Sequence, residues 1–320
     1  MAHVVRPPPR RSGAKPLPPP KGEGRGGGSP SMTDWIAADW GSTNLRLWGM
    51  GAGGVLWTAR SDAGAAGLAP DAFAPALAAA IADRAGPGTP VVACGMLGSR
   101  GAWREVPYAP VPCAPATATT RIDAPTGPVH IVHGLSQASP PDVMRGEETQ
   151  IAGFLAAEPN FDGTVLLPGT HSKWVHVSAG EVVSFRTCLT GELFALLSTH
   201  SALRGPADTP WDDAAFAAAV SDTLSRPERL ASDLFSLRAA WLLNGTPGRA
   251  RLSGLLIGAE IAATKPWWLG REVAIVGEGT LARLYESALK AHGVAARARD
   301  AEDVTLRGLR AAHAAIGETA

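Results

Sequence analysis

The sequence predicts an α/β protein built from two similar halves, on three observations. A run of short strands opening on a small polar turn occurs near residue 35 and again near residue 164. Strands alternate with helical stretches in both halves, the pattern of layered α/β folds. The length of 320 residues suits about two domains.

From Asp34, WIAAD, LRLWGM and GVLWTAR are apolar or alternating runs separated by the turn-rich WGSTN and GAGG, which reads as a three-stranded antiparallel meander. An alanine-rich stretch from Pro70 to Arg84 has helical composition, and PVVACGM at 90–96 is an apolar run of strand length. The proline-rich region from Arg100 to Pro128 reads as irregular, with a strand candidate at 129–135. Residues 145–158 look helical. TVLLP, KWVHV and EVVSFRT, within 164–187, repeat the meander, with GTHS and SAG as its turns. Helices fit 190–203, 212–224, 227–243 and 250–264. The strand EVAIVG at 272–277 feeds a helix at 280–292, then a short strand near Val294 and a last helix at 303–316. The expected division is a first domain over 32–142 and a second over 143–320.

Residues 1–31 are of different material, rich in Pro, Gly and Arg and nearly free of large apolar groups. Such a stretch cannot bury enough surface to offset its ordering entropy and reads as a disordered tail, with Met32 opening the folded sequence. It has no apolar core of the kind a secretory signal needs. Apolar residues make up 45% of the chain, and Lys+Arg and Asp+Glu balance at 29 each. That balance gives no electrostatic reason to expect nucleic acid or an anionic membrane as partner. No apolar run approaches the roughly 18 residues of a spanning helix. The cysteines, Cys94, Cys113 and Cys188, are odd in number and widely spaced, which fits a reduced cytoplasm rather than a disulfide framework or a zinc site.

The chemistry concentrates at four places. In the first turn, Gly41 permits close backbone approach to a ligand, and Ser42, Thr43 and Asn44 add donors beside successive N–H groups, a nest suited to phosphate oxygens. Asp39 ends the strand before it. A carboxylate beside phosphates calls for an intervening cation, so Asp39 suggests Mg²⁺ held through water. Arg46, two residues into the next strand, is placed to face the same space. In the second turn Gly169 and Thr170 repeat the pattern and Lys173 adds a charge. One such turn is compatible with an ordinary hairpin; a matched pair suits one polyphosphate held from both sides. Third, Glu147 and Glu148 open the helix after Arg145, where the helix dipole alone would favour acids. Functionally, one of them is a candidate general base, since adjacent helical residues point about 100° apart. Glu147 is the first choice and Glu148 the second, and Arg145 is a candidate partner for an acidic substrate group. Fourth, a strand runs into Gly277-Glu278-Gly279, a turn with room for a flat ring. Neither a P-loop nor a complete GxGxxG is present.

In this order the pieces resemble the sugar kinases of the actin-like ATPase superfamily. DWGSTNLRLW, GMLGSRGAWREVPYAPVP, VMRGEETQIAG, LPGTHSKWVHV, FRTCLTGELFALL and SGLLIGAE look like signature segments of the 2-dehydro-3-deoxygalactonokinases, a resemblance running from Trp35 to about Ala315. It implies a duplicated, ribonuclease H-like fold of two domains around a central cleft. It also implies transfer of the ATP γ-phosphate, with Mg²⁺, to the 6-hydroxyl of 2-dehydro-3-deoxy-D-galactonate, a small sugar acid. On that pattern Asp39 lies near Mg²⁺, and Gly41, Ser42, Thr43, Asn44, Gly169, Thr170, His171, Ser172 and Lys173 hold phosphates. Glu147 takes the place of an acid that is usually Asp in related carbohydrate kinases, and the doubled acid leaves the register open by one residue, to Glu148. Gly277, Gly279 and Thr280 lie at the adenosine. Arg46, Met96, Ser99, Trp103, Tyr108 and Arg145 fall to the substrate, with a core aromatic as the rival reading within 95–108. Arg46, Arg100, Arg145, Lys173 and Arg186 are the candidate cations for the substrate carboxylate. A homodimer is compatible with this reading.

Two rivals follow. One is a kinase of another sugar or sugar acid in the same superfamily. The other is a nucleotide switch without an acceptor, which would release only ADP and inorganic phosphate.

Overall fold

Alternation along two strands decides how the layers stack. The computed structural model describes residues 33–116, 118–205 and 209–318, so the expected disordered tail at 1–31 lies outside the described residues. The first meander is β1 (Trp35–Trp40), β2 (Leu45–Gly51) and β3 (Gly54–Ser61), followed by α1 (Phe73–Ile81) and β4 (Val91–Gly95). Ile36, Ala38 and Trp40 of β1 pack with Phe73 and Leu77 of α1 on one face. Trp35 and Ala37, on the other face, pack with residues of the central helices. Asp39 falls on that second face by the two-residue period of a strand.

The region expected to be irregular holds β5 (Tyr108–Pro110) and β6 (Thr119–Ala124). Both escape a hydrophobic pattern search because they are edge strands, where Pro and half-exposed polar alternation are tolerated. The single strand expected at 129–135 is two, β7 (Gly127–Val132) and β8 (Gly134–Gln137). The break falls at His133, where the chain passes from one sheet to another. β9 (Asp142–Met144) completes a three-stranded sheet in the order β5-β8-β9.

The remaining elements are α2 (Glu147–Ala157), β10 (Gly163–Leu167), β11 (Ser172–Ser178), β12 (Glu181–Cys188), α3 (Thr190–His200), α4 (Asp213–Ser225), α5 (Leu230–Asn244), α6 (Arg249–Ala263), α7 (Lys265–Trp268), β13 (Val273–Val276), α8 (Gly279–Ala291), β14 (Ala296–Arg299) and α9 (Ala301–Glu318). α4 starts where Asp212 caps it, the carboxylate accepting from Ala215 N–H at 2.9 Å. α5 stops at Gly245, which adopts the left-handed conformation at φ 65°.

The two large sheets share one plan. Their orders are β3-β2-β1-β4-β7-β6 and β12-β11-β10-β13-β14. In each, an antiparallel meander is extended on the side of its first strand by two parallel strands, and in the first sheet β6 adds antiparallel to β7 at the edge. This repeated order is the actin-like ATPase fold that the sequence predicts. α2 and α9 lie between the sheets. Ala152, Leu309 and Ala312 pack on the first sheet, whereas Ile151, Phe154, Leu155 and Val304 pack against Val165, Leu167, Val175 and Val177 of the second. Residues on α4, α6 and α8 cover the far face of the second sheet around Leu166, Trp174 and Ile275. The central helices cross without side chains between them: a Cβ on Gly153 would fall 1.7 Å from the Val304 carbonyl oxygen, and one on Gly308 would fall 1.9 Å from that of Thr149.

Candidate active site

The two polar turns are built alike. In the first, the carbonyls of Gly41 and Ser42 accept from the N–H groups of Ala65 and Ala66, each at 3.0 Å. Gly64 makes that approach possible, since a Cβ there would lie 2.2 Å from the Thr43 carbonyl carbon. In the second, the Thr170 carbonyl accepts from Glu192 N–H at 2.9 Å, and a Cβ on Gly191 would lie 2.3 Å from the Gly169 carbonyl oxygen. Each turn is thus anchored by the chain that follows its third strand. Ser42, Thr43 and Asn44 are exposed, with Asn44 Nδ2 donating to Thr43 Oγ1 at 2.9 Å. Thr170 and His171 are also exposed, and His171 Nε2 lies 2.6 Å from Glu192 Oε2. Ser172 differs: it is buried, and its hydroxyl is turned into the second half.

Strand parity aims the charged groups. Asp39 and Arg46 are paired across β1 and β2, with Arg46 Nε 4.0 Å from Asp39 Oδ2. Arg46 also lies 3.7 Å from Glu278 and 3.9 Å from Glu302, so one guanidinium joins the first turn, the Gly277–Gly279 turn and α9. Burial pushes the Asp39 carboxyl up, offset in part by Arg46, and Glu147 adds a further upward push. On β11, Lys173 shares a face with Val175 and Val177, the face that meets α2. Its ammonium is nearly fully buried and lies 3.4 Å from Glu147 Oε1.

Gly146, at φ 106°, turns the chain into α2 beside the end of β4, where a Cβ on it would meet Gly95 Cα at 3.5 Å. The two acids that follow part company. Glu147 keeps a side-chain exposure of 25%, and its Oε2 accepts from Arg145 N–H at 3.1 Å. Glu148 is 0% exposed and accepts from Gly146 N–H at 2.6 Å and Thr149 Oγ1 at 3.0 Å. Burial, then the Glu147 charge, raises its carboxyl to about 8.

The segment 95–108 adjoins this helix start. Met96 and Trp103 pack on the core of the first sheet, Trp103 stacking on Phe73 at 5.9 Å and meeting Trp40 edge-on at 5.8 Å. The Trp103 ring is therefore largely engaged in packing. Ser99, half-buried, has its hydroxyl 3.8 Å from Met96 Sδ. The Arg145 guanidinium lies over the Tyr108 ring, 4.2 Å from ring centroid to Cζ. Arg145 itself is buried. Nη2 donates to the Val106 carbonyl at 2.9 Å, while Nε and Nη1 are buried without a partner.

Beside the second turn a cavity of about 490 Å³ opens between α3, α6 and α8. Gly169, Thr170 and Thr280 line its polar end and Phe194, Trp211, Leu256 and Leu284 its apolar walls. Arg249 lies over the Phe194 ring at 5.1 Å. Of the residues expected at an adenosine, Thr280 lines this cavity. Gly277 approaches Pro168 of the second turn, and Gly279 supplies φ 68° at the start of α8. The walls from α3 and α6 fall in the signature segments FRTCLTGELFALL and SGLLIGAE, to which the sequence reading gave no role, and Trp211 falls in none of the quoted segments. Glu260 was missed as well, although a carboxylate within the small and apolar run SGLLIGAE is a signal of burial.

A duplicated actin-like fold with two matched turns, a carboxylate at the start of a central helix and a cavity beside the second turn defines a carbohydrate kinase of the actin-like ATPase class. Within that class, the sequence pattern of the 2-keto-3-deoxy-galactonokinase family matches residues 39–312, and the chain belongs to that family. It is 40% identical over 300 residues to a probable 2-dehydro-3-deoxygalactonokinase of Rhizobium meliloti (strain 1021), covering 88% of this chain and 97% of the relative. It is 36% identical over 289 residues to the 2-dehydro-3-deoxygalactonokinase of Escherichia coli (strain K12), covering 88% and 98%. A crystal structure from Sinorhizobium meliloti, assigned provisionally to the same activity, superposes with a TM-score of 0.82 at 39% identity, covering 88% of this chain and 96% of that one.

Proposed function

We propose that this chain transfers the γ-phosphoryl group of ATP to the 6-hydroxyl of 2-dehydro-3-deoxy-D-galactonate, giving the 6-phosphate, as a step in galactonate breakdown in the cytoplasm. Family membership supports the reaction, and the observation that carries the site is the Glu147–Lys173 pair beside the substrate segment. Residues 32–142 and 143–320 act as two lobes, each contributing one phosphate turn.

Glu147 is the general base. It is the acid of the pair that reaches solvent, and it is held by Arg145 N–H and Lys173. Glu148 is the anchor of the helix start, buried and bonded to its own turn. Proton removal from the acceptor hydroxyl by a placed carboxylate contributes about 10²–10⁴-fold. The two turns, their carbonyls tied back into protein, offer amides and hydroxyls to the polyphosphate from both sides. The adenosine enters the 490 Å³ cavity, whose apolar walls suit a flat ring and whose polar end is the second turn. Among the described residues no cluster of three or more His, Cys, Asp or Glu could cage a metal. A single carboxylate at the first turn suits Mg²⁺, which keeps most of its waters, and Asp39 is that carboxylate. The ion would neutralise charge on the transferring phosphates.

Arg145 is the counter-charge for the substrate carboxylate. Arg46 is paired with three acids, Arg100 with Glu105 at 3.3 Å, and Lys173 with Glu147. Arg186 pairs across the sheet with Trp174, so it faces α6, and it lies over the Trp267 ring at 5.6 Å. Arg145 alone of these brings buried unpartnered N–H groups to the substrate segment among the described residues. Tyr108, exposed at its outer side, covers one face of that guanidinium.

The test is product analysis on the purified chain with Mg²⁺-ATP and a panel of acceptors. A 6-phosphate formed from the ketodeoxy galactonate is expected. Turnover on a neutral sugar with none on the ketodeoxy acid, or release of ADP and inorganic phosphate alone, would overturn the proposal.

A further inference from the structure

The second turn has a buried carboxylate behind it that the reaction does not use directly. Glu260 on α6 is 4% exposed and has no cation beside it among its hydrogen-bond partners. Oε1 accepts from Trp174 Nε1 at 2.7 Å, while Oε2 accepts from Ser172 Oγ at 3.0 Å and Tyr285 OH at 2.7 Å. Thr190, at the start of α3, stands close to the same carboxylate and opposes the upward push of burial on it. A buried carboxylate costs several kcal/mol unless its lone pairs are filled, and here neutral donors fill them.

The groups around this carboxylate come from the elements that frame the nucleotide cavity. Ser172 and Trp174 lie on β11, immediately after the second turn. Thr190 opens α3, whose next residues, Gly191 and Glu192, pack on and bond to that turn. Tyr285 is on α8, which begins at Gly279 and Thr280. Thr170, Thr190, Thr280 and Tyr285 all line the cavity, so Glu260 sits beneath its floor.

We propose that Glu260 is a positioning residue that fixes the phosphate turn and the adenosine helix to each other, so that both ends of ATP are gripped by one frame. This rests on the reading of the cavity as the nucleotide site. Ser172, within the phosphate-turn motif, then acts inward as a strut rather than outward as a phosphate ligand. Trp174 can only donate, and the hydroxyls of Ser172 and Tyr285 orient to match, so a carboxylate is the group that satisfies all of them at once.

The experiment is Glu260→Gln in the full chain, with kcat and KM for ATP and for the sugar acid, and the Kd for ADP by calorimetry. Gln keeps the shape and replaces one acceptor oxygen with a donor. The expected result is a KM for ATP and a Kd for ADP raised about tenfold, with the sugar-acid KM within about twofold of wild type. Tyr285→Phe removes a single strut, keeps the charge, and is expected to shift the same two constants about threefold. Leu281→Trp fills the cavity without touching Glu260 and tests the underlying reading. Weakened ADP binding in Leu281→Trp, with Glu260→Gln and Tyr285→Phe both unchanged, overturns the role of Glu260 and leaves the cavity assignment standing. Unchanged ADP binding in Leu281→Trp overturns the assignment and the inference with it. Equal rises in both KM values, or a fall in kcat alone, also overturn it. If Glu260→Gln does not fold, Tyr285→Phe decides by the same criterion.

Discussion

Lys173 Nζ lies 3.4 Å from Glu147 Oε1, a contact that joins the strand after the second turn to the first residue of a central helix. The lysine is nearly fully buried, whereas the glutamate keeps a quarter of its side chain open. Such a pair holds a carboxylate in place without closing it off. Glu147→Gln is therefore expected to lower kcat by about 10²–10⁴-fold while leaving the KM for ATP within a few-fold. Glu148→Gln is expected to stay within about tenfold of wild type, since that side chain is sealed from the substrate. Steady-state kinetics on both variants checks this; near-wild-type activity in both would remove the base from this helix.

Glu148 gives a pH signature of its own. Its carboxyl is raised from 4.5 to about 8 by burial, so between those values the folded chain holds a proton that the unfolded chain has lost. Stability from this group is fully present below pH 4.5 and is lost as pH rises through about 8. Its share of the slope approaches about 1.4 kcal/mol per pH unit. Asp39 and Glu260, also raised by burial, act with the same sign. Urea unfolding at pH 5.5 and 8.5 should show a smaller loss of stability in Glu148→Gln than in wild type.

Arg145 has two buried N–H groups without partners next to the segment expected to bind sugar. Arg145→Gln is expected to raise the sugar-acid KM by about 10–100-fold, the worth of a charge-assisted contact, with the KM for ATP little changed. The same kinetics read with both substrates decide it. Equal effects on the two KM values would mean that Arg145 only supports the 97–108 segment.

The crossing of α2 and α9 admits no side chain. Gly153→Ala would place a methyl 1.7 Å from the Val304 carbonyl oxygen, and Gly308→Ala one 1.9 Å from that of Thr149. Each is expected to destabilise the fold by about 3 kcal/mol or more, by overpacking against backbone that has nowhere to move. Thermal unfolding measures it, and a melting temperature within a degree of wild type would contradict the close crossing.

The repeated meander was legible because strands and tight turns leave local signals: β-favouring runs broken by Gly, Ser, Thr and Asn. The same signals placed Asp39, Thr43, Thr170 and Lys173 beside their turns. The short edge strands β5, β6 and β9 were not legible, because an edge strand with proline or half-exposed polar residues carries no hydrophobic alternation. Adjacent acids showed that a helix began at Glu147 but not which of them faced inward. That depends on the packing of α2 against α9 and the first sheet. The Glu260 network joins residues 172, 174, 260 and 285, and only tertiary packing brings them together.

The most direct measurement is a crystal structure of the chain with a non-hydrolysable ATP analogue, Mg²⁺ and 2-dehydro-3-deoxygalactonate. The expected result has the phosphates between the turns at Thr43 and Thr170, the base in the cavity walled by Trp211 and Leu284, and the 6-hydroxyl within roughly 3 Å of Glu147. A nucleotide bound away from both turns, or an acceptor hydroxyl held by a different carboxylate, would contradict it.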